Sequence, residues 1–128
     1  MPVRWTRFLK FVAIGGIGFA IEASIITLAG HWWALSPMAA RTLSFPSAVM
    51  ATWWLNRKYN FRSQNSLIAE GPRYFLVQIM GALSNLGVFI LCLSVIPLFT
   101  TWPVAGLAAG ATVGLAVNFL FSSVYVFK

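Results

Sequence analysis

The chain has 128 residues, of which 59% are hydrophobic and only 9% charged, with a formal net charge of +7 at pH 7. A soluble domain carries roughly 25% charged residues, so this composition excludes an ordinary water-soluble fold and points to one embedded in a bilayer. A single cysteine, Cys92, and a single histidine, His31, exclude a disulfide framework and a cysteine or histidine metal cluster.

In chain order, the first apolar stretch predicts a helix near Phe8–Ala29, preceded by Arg4, Arg7 and Lys10. A cleavable signal peptide has a similar beginning, but its apolar core is shorter, so a retained membrane helix is expected. This helix carries Gly15, Gly18 and Glu22, and a short turn over Gly30–Ser36 follows, with His31, Trp32 and Trp33. The second helix is expected near Pro37–Asn56, with Ser36 as its N-cap and Pro37 in its first turn, where a missing N–H costs nothing. Inside it lie Arg41 and Pro46, the latter removing a backbone bond to the Thr42 carbonyl. Arg57 to Arg73 reads as the one sizeable loop, polar and basic.

From Tyr74 to Phe127 there is no Asp, Glu, Lys or Arg. With about 20 apolar residues needed per crossing, this run has room for two helices and a turn. They are expected near Tyr74–Ile96 and Pro103–Val124, joined through Pro97–Trp102. In the last of them Gly106, Gly110, Gly114 and Asn118 recur every fourth residue, a small-residue face that permits close helix approach.

The two halves repeat each other at one fixed offset of 66 residues. Arg7-Phe8 recurs as Arg73-Tyr74, Gly15 as Gly81, Pro37 as Pro103, Ala39 as Ala105, and Tyr59-Asn60-Phe61 as Tyr125-Val126-Phe127. Five matches in one register indicate two copies of one supersecondary unit. The expected fold is therefore an all-α membrane protein, one domain over residues 1–128. It has four transmembrane helices arranged as two parallel-repeat helical hairpins, about 7–61 and 73–127.

Arg4, Arg7, Lys10, Arg57, Lys58, Arg62, Arg73 and Lys128 all fall on one side of these helices, and Arg41 alone falls near the other. The positive-inside rule then puts both termini and the central loop in the cytoplasm. Trp32, Trp33 and Trp102 would mark the outer interface, and Trp5, Tyr59, Tyr74 and Tyr125 the inner one. The positive charges bracket apolar spans and form no stripe on a soluble element. They read as topology signals and attraction to membrane lipids, with no nucleic acid partner.

Within the spans, Glu22 is the costly residue, since a carboxylate near a helix centre costs roughly 2.5–3.5 kcal/mol on insertion scales. Counted from the cytoplasmic helix ends, Glu22 and Arg41 both sit about 21–23 Å from the inner interface, so adjacent antiparallel helices bring them to one depth. The pair reads either as a structural ion pair or as a polar substrate site, with Arg41 holding a phosphate and Glu22 orienting it or accepting sugar hydroxyls. Val88 and Leu107 stand at the matching positions of the second half. Asn56 and Asn118 are further substrate-contact candidates, with interhelical hydrogen bonds, shared with Gln78 and Asn85, as the other reading. Gly15, Gly18, Gly106, Gly110 and Gly114 are the helix-packing candidates. With no carboxylate pair, metal cluster or glycine-rich phosphate loop outside the membrane, no catalytic residue, metal or cofactor is expected.

Several of these segments together resemble the GtrA-like family of small bacterial membrane proteins. They are Arg7-Phe8-Leu9-Lys10-Phe11-Val12 leading into Gly15-Gly16, then Glu22, Ala40-Arg41, Leu55-Asn56-Arg57-Lys58-Tyr59-Asn60-Phe61, Asn118-Phe119-Leu120-Phe121 and Tyr125-Val126-Phe127. One departure is Ser122-Ser123-Val124, where basic residues are often found before the last aromatic pair. The resemblance implies translocation of a polyprenyl-phosphate-linked sugar across the bacterial inner membrane for surface polysaccharide synthesis, beside a membrane glycosyltransferase. It does not identify the sugar. Four helices are few to enclose such a path, so a homo-oligomer packed through glycine faces is expected. Two other readings stand beside it. One is a small multidrug-resistance-type proton antiporter using Glu22, which a fixed cation at Arg41 disfavours by repelling cationic substrates. The other is a non-transporting anchor for a glycosyltransferase.

Overall fold

The computed structural model describes residues 3–128, the side chains of residues 37, 100, 103 and 104 aside, and every regular element among them is helical. The elements are α1 (Val3–Trp33), α2 (Pro37–Leu55), a π turn (Asn56–Asn60), α3 (Leu67–Val95), the short α4 (Pro97–Thr101), α5 (Pro103–Phe121) and a second π turn (Ser122–Val126). The chain is a membrane protein. α1, α3 and Ala105–Val126 are long and apolar enough to cross a bilayer. α2 has 19 residues but is interrupted by Arg41, Thr42, Ser44, Pro46 and Ser47, which lower its apolar content. The chain forms two compact units, Met1–Gly71 and Pro72–Lys128.

In the first unit, α1 turns into α2 through three residues. Ala34 adopts a left-handed conformation (φ 54°), and Leu35 N donates to the Ala29 carbonyl at 3.2 Å, closing the helix end. Ser36 caps α2 as expected, its Oγ accepting from Ala39 N at 3.2 Å. α2 runs on through Pro46, with hydroxyls bonding nearby carbonyls on either side: Thr42 Oγ1 to Ala39 O at 2.6 Å and Ser47 Oγ to Leu43 O at 2.7 Å. α1 packs along α2 through a row of small or short residues. Gly18 lies so close to Thr52 that a Cβ there would stand 2.6 Å from Thr52 Cγ2. Ala40, Ser44, Ala48, Thr52 and Asn56, every fourth residue of α2, are all buried.

The second unit repeats the device with a barer backbone. A Cβ on Gly110 would stand 2.5 Å from the Asn85 carbonyl oxygen, and one on Gly114 2.9 Å from the Gly81 carbonyl oxygen. A Cβ on Gly81 would overlap the Asn118 amide, and Gly106 faces Phe89 at 3.3 Å. The glycine face of α5 is thus filled by α3 of the same chain. Gly15, expected to pack, has nothing within 4 Å of a Cβ position, so among the expected glycines it alone makes no such contact.

Two loop expectations change. The central loop shrinks to residues 61–66, because α3 starts at Leu67, with Glu70 N bonding the Ser66 carbonyl at 2.9 Å. A carboxylate in the first turn favours this early start, since it faces the positive end of the helix dipole. The connection between α3 and α5 is itself the helical turn α4, with Pro97 in its first turn. α2 and α5 both end in a single π turn, closed by Phe61 N to Asn56 O at 2.8 Å and Phe127 N to Ser122 O at 2.9 Å.

The close approaches predict opposite outcomes for two glycine substitutions. Gly110→Ala drives a methyl into the Asn85 carbonyl and should destabilise the protein by about 1–3 kcal/mol. Gly15→Ala meets open space and should be neutral or stabilising by up to about 1 kcal/mol, from helix propensity alone. Thermal unfolding of both variants in one detergent checks the pair, and equal melting shifts would refute the packing.

Candidate functional site

α1 and α2 bring the two expected charges together, but not by lying level. Gly18 packs opposite Thr52, so an antiparallel step of four residues sets Glu22 level with Ala48. Arg41 starts about 10 Å nearer the turn, and the two side chains reach toward each other. Counting from Asn56 misplaced the depth because the π turn extends α2 to Asn60. Arg41 Nη2 lies 3.7 Å from Glu22 Oε1, with side chains 56% and 23% exposed. That is an ion pair without a hydrogen bond, and Glu22 Oε1 is buried with no hydrogen-bond partner. Arg41 therefore has guanidinium donors available on a helix packed within an apolar hairpin. A carboxylate that orients an arginine without saturating it leaves that arginine able to take a phosphate in two-pronged fashion.

Asn56 does not join that pair. Asn56 lies 15 residues from Arg41 along α2, about 22 Å, and is buried in a polar knot. Its Nδ2 donates to Thr52 O at 3.0 Å, and Asn60 Nδ2 is 3.0 Å from both Asn56 Oδ1 and the Arg7 carbonyl. It takes part in an interhelical hydrogen-bond network at the end of α2. Asn118 belongs to the second unit, set against Gly81, and its Oδ1 is buried without a partner, as is Gln78 Nε2.

A second charged cluster, not foreseen in the sequence, is far better ordered by its bonds. Glu70, placed by the sequence reading in a solvated loop, has a side chain that is 0% exposed. Its Oε1 accepts from Arg57 Nη1 at 2.8 Å and from Trp53 Nε1 at 2.9 Å, and Ser63 Oγ donates to Oε2. Arg57 Nη2 also donates to the Asn65 carbonyl at 2.7 Å. The carboxylate thus ties the end of α2, the loop and the start of α3 together. Its sequence signal was the lone acidic residue beside a basic loop, just before Pro72, at a spacing that suits a helix first turn.

Beside this latch is an open groove of about 300 Å³ lined by Trp54, Arg57, Lys58, Arg62, Ser63 and Gln64. Arg7 stacks over the Phe61 ring at 5.6 Å and Lys58 over Tyr59 at 5.2 Å. In the second unit Arg73 lies over Tyr125 at 5.3 Å, and Tyr74 meets Phe127 at 5.8 Å between ring centroids. In each unit an arginine near the start of one helix therefore covers an aromatic ring at the end of the helix packed against it.

Comparison with known families finds that a model of the GtrA/DPMS transmembrane domain matches residues 10–127. No curated protein matches the chain.

The Glu70 latch carries a stability prediction. Glu70→Ala strands the Arg57 guanidinium and the Trp53 indole N–H and should cost about 3–5 kcal/mol. Glu70→Gln keeps an acceptor for Trp53 and should lose less. Melting temperature in detergent, together with the rate of tryptic cleavage after Arg57, Lys58 and Arg62, checks the order Ala worse than Gln worse than wild type.

Proposed function

The chain belongs to the GtrA/DPMS transmembrane-domain family, and on that premise we propose that it translocates a polyprenyl-phosphate-linked sugar from the inner to the outer leaflet of the bacterial inner membrane. The sugar then serves cell-surface polysaccharide synthesis, and the carrier is loaded by a membrane glycosyltransferase that works beside this chain. The protein moves its substrate and does not transform it. In this reading both termini and the 61–66 loop are cytoplasmic, and all four long helices cross the bilayer. α2 crosses with α1, against which it packs along a row of small side chains.

The observation that carries the proposal is the Arg41 guanidinium, more than half exposed on a helix within an apolar hairpin and held only loosely by Glu22. A lipid-linked sugar phosphate has a long apolar tail, one negative charge and a polar head. It needs a positive charge at membrane depth that is oriented but not consumed. Arg41 supplies the charge, and Glu22 sets its direction and offers a carboxylate to sugar hydroxyls. A homo-oligomer would complete the path. Since the α5 glycines are filled from within the chain, its interface would use other faces, among them the α1 surface around Gly15 and Gly16, which has open space over it.

Reporter fusions should place Asn65 and the C-terminus in the cytoplasm and Trp33 and Thr101 outside. A cytoplasmic signal at Trp33 would remove the hairpin crossing.

Transport tests the site itself. Arg41→Ala should lower sugar-lipid translocation in proteoliposomes by about ten- to a hundredfold, the range of a hydrogen bond to a charged group, with insertion and melting unchanged. Arg41→Lys should restore only part, because an ammonium cannot make the forked contact. Glu22→Gln should be milder than Arg41→Ala. Full transport by Arg41→Ala would overturn the proposal, and loss of toxic-cation resistance in Glu22→Gln would favour an antiporter instead.

A further inference from the structure

We propose that the groove lined by Trp54, Arg57, Lys58, Arg62, Ser63 and Gln64 is a docking site for the phosphomonoester end of an unloaded polyprenyl phosphate carrier. This rests on reading the substrate as a lipid phosphate, but it concerns a different place and a different form of the carrier. Arg57 and Arg41 are 16 residues apart on the continuous helix of α2 and its π turn, about 24 Å.

The groove is built before any ligand arrives. Ser63 N donates to the Arg57 carbonyl at 3.0 Å, Asn65 N to Ser63 Oγ at 3.2 Å, and Ser63 Oγ to Glu70. These bonds hold the loop in a shape that forces Arg62 into the left-handed region at φ 50°. A non-glycine residue is strained there and persists only where its surroundings fix it. Arg57 is committed to Glu70. Lys58 and Arg62 make no ion pair among the described residues, so the groove offers two uncompensated positive charges beside Ser63 and Gln64 as hydrogen-bonding groups.

An apolar track leads into it. Leu43, Met50 and Trp54 are all exposed, and at spacings of seven and four they lie on one face of α2, which ends at the groove. The track is about 16 Å long, and Trp54 stands where it meets the charges. Such a surface fits a single apolar chain lying along the helix with its phosphate at the end. A phosphomonoester carries about −1.5 to −2 at neutral pH, matching two cations that no carboxylate neutralises. A phosphodiester, which is what the carrier becomes once a sugar is attached, has one ionisable oxygen left and carries a single charge. The groove therefore grips the unloaded carrier and loosens its hold on the loaded one, which favours release toward the membrane interior.

Binding is read without transport, by native mass spectrometry of the full chain in mixed micelles with polyprenyl phosphate, polyprenol or phosphatidylglycerol. Wild type should retain polyprenyl phosphate, hold phosphatidylglycerol more weakly and ignore polyprenol. Lys58→Ala with Arg62→Ala should weaken polyprenyl phosphate about ten- to thirtyfold, at roughly one surface charge's worth for each residue removed. Lys10→Ala removes a cation outside the groove and should change binding less than twofold. Equal retention of polyprenol, equal retention of phosphatidylglycerol, wild-type binding by the double variant, or an equal loss in Lys10→Ala each overturns the proposal. A protein that binds polyprenyl phosphate through these residues but translocates no sugar lipid defeats the transport reading and leaves the groove standing. Normal transport with unchanged binding in the double variant defeats the groove alone.

Discussion

Backbone-to-backbone approach is the constraint from which the rest of this structure follows. In a bilayer, burying a leucine against another helix gains little over leaving it in lipid, so helices must associate through close van der Waals contact and buried polar bonds. Gly18 against Thr52, and Gly110 and Gly114 against the Asn85 and Gly81 region, bring helices to distances at which a methyl group would collide. The large apolar side chains are correspondingly turned outward, among them Phe19, Met50, Leu83, Leu91 and Leu120. Much of what is buried is small or polar, as Ala40, Ser44, Ala48, Thr52, Asn56 and Ser122 are, beside a few larger groups such as Phe11 and Tyr74.

An interior lined with small and polar groups leaves each charge to be managed singly. Glu70 is fully withdrawn from solvent and saturated by Arg57, Trp53 and Ser63, the condition under which a buried carboxylate is tolerable. Glu22 is not saturated, and its arginine stands 3.7 Å away and largely exposed. These two pairs have the same chemistry and opposite geometry. The first spends its charge on fixing a loop. The second leaves its guanidinium more than half exposed.

The two units show how a short sequence motif becomes a structural joint. Arg7 covers Phe61, and Arg73 covers Tyr125. Each ring lies at or beside a π turn that ends the helix packed against the arginine's own. One extra residue in a helical turn re-aims the side chains that follow it. In the first unit those side chains include Lys58, which lines the basic groove. The second unit has Val124 at that position, and Lys128 at the position that matches Arg62. The pair of cations is therefore found in the first unit, and the second keeps one of the two.

By itself the sequence determined the solvent, the helices and the close-packing role of most glycine positions, because each rests on local facts. Charge-free length sets a span, proline at a first turn sets a start, and a glycine at every fourth residue sets a face. It also paired Glu22 with Arg41 from helical rise alone. It could not supply depth, since a π turn adds to α2 with no composition signal, and a shift of a few residues moves a charge by several ångströms. It could not reveal the Glu70 latch either, because that cluster is made of residues 53, 57, 63, 65 and 70, which meet only when the loop folds back. Whether a glycine face is filled from within or awaits a partner was likewise decided by tertiary structure. The pattern along one helix states how closely another may come, and only the folded chain states which helix does.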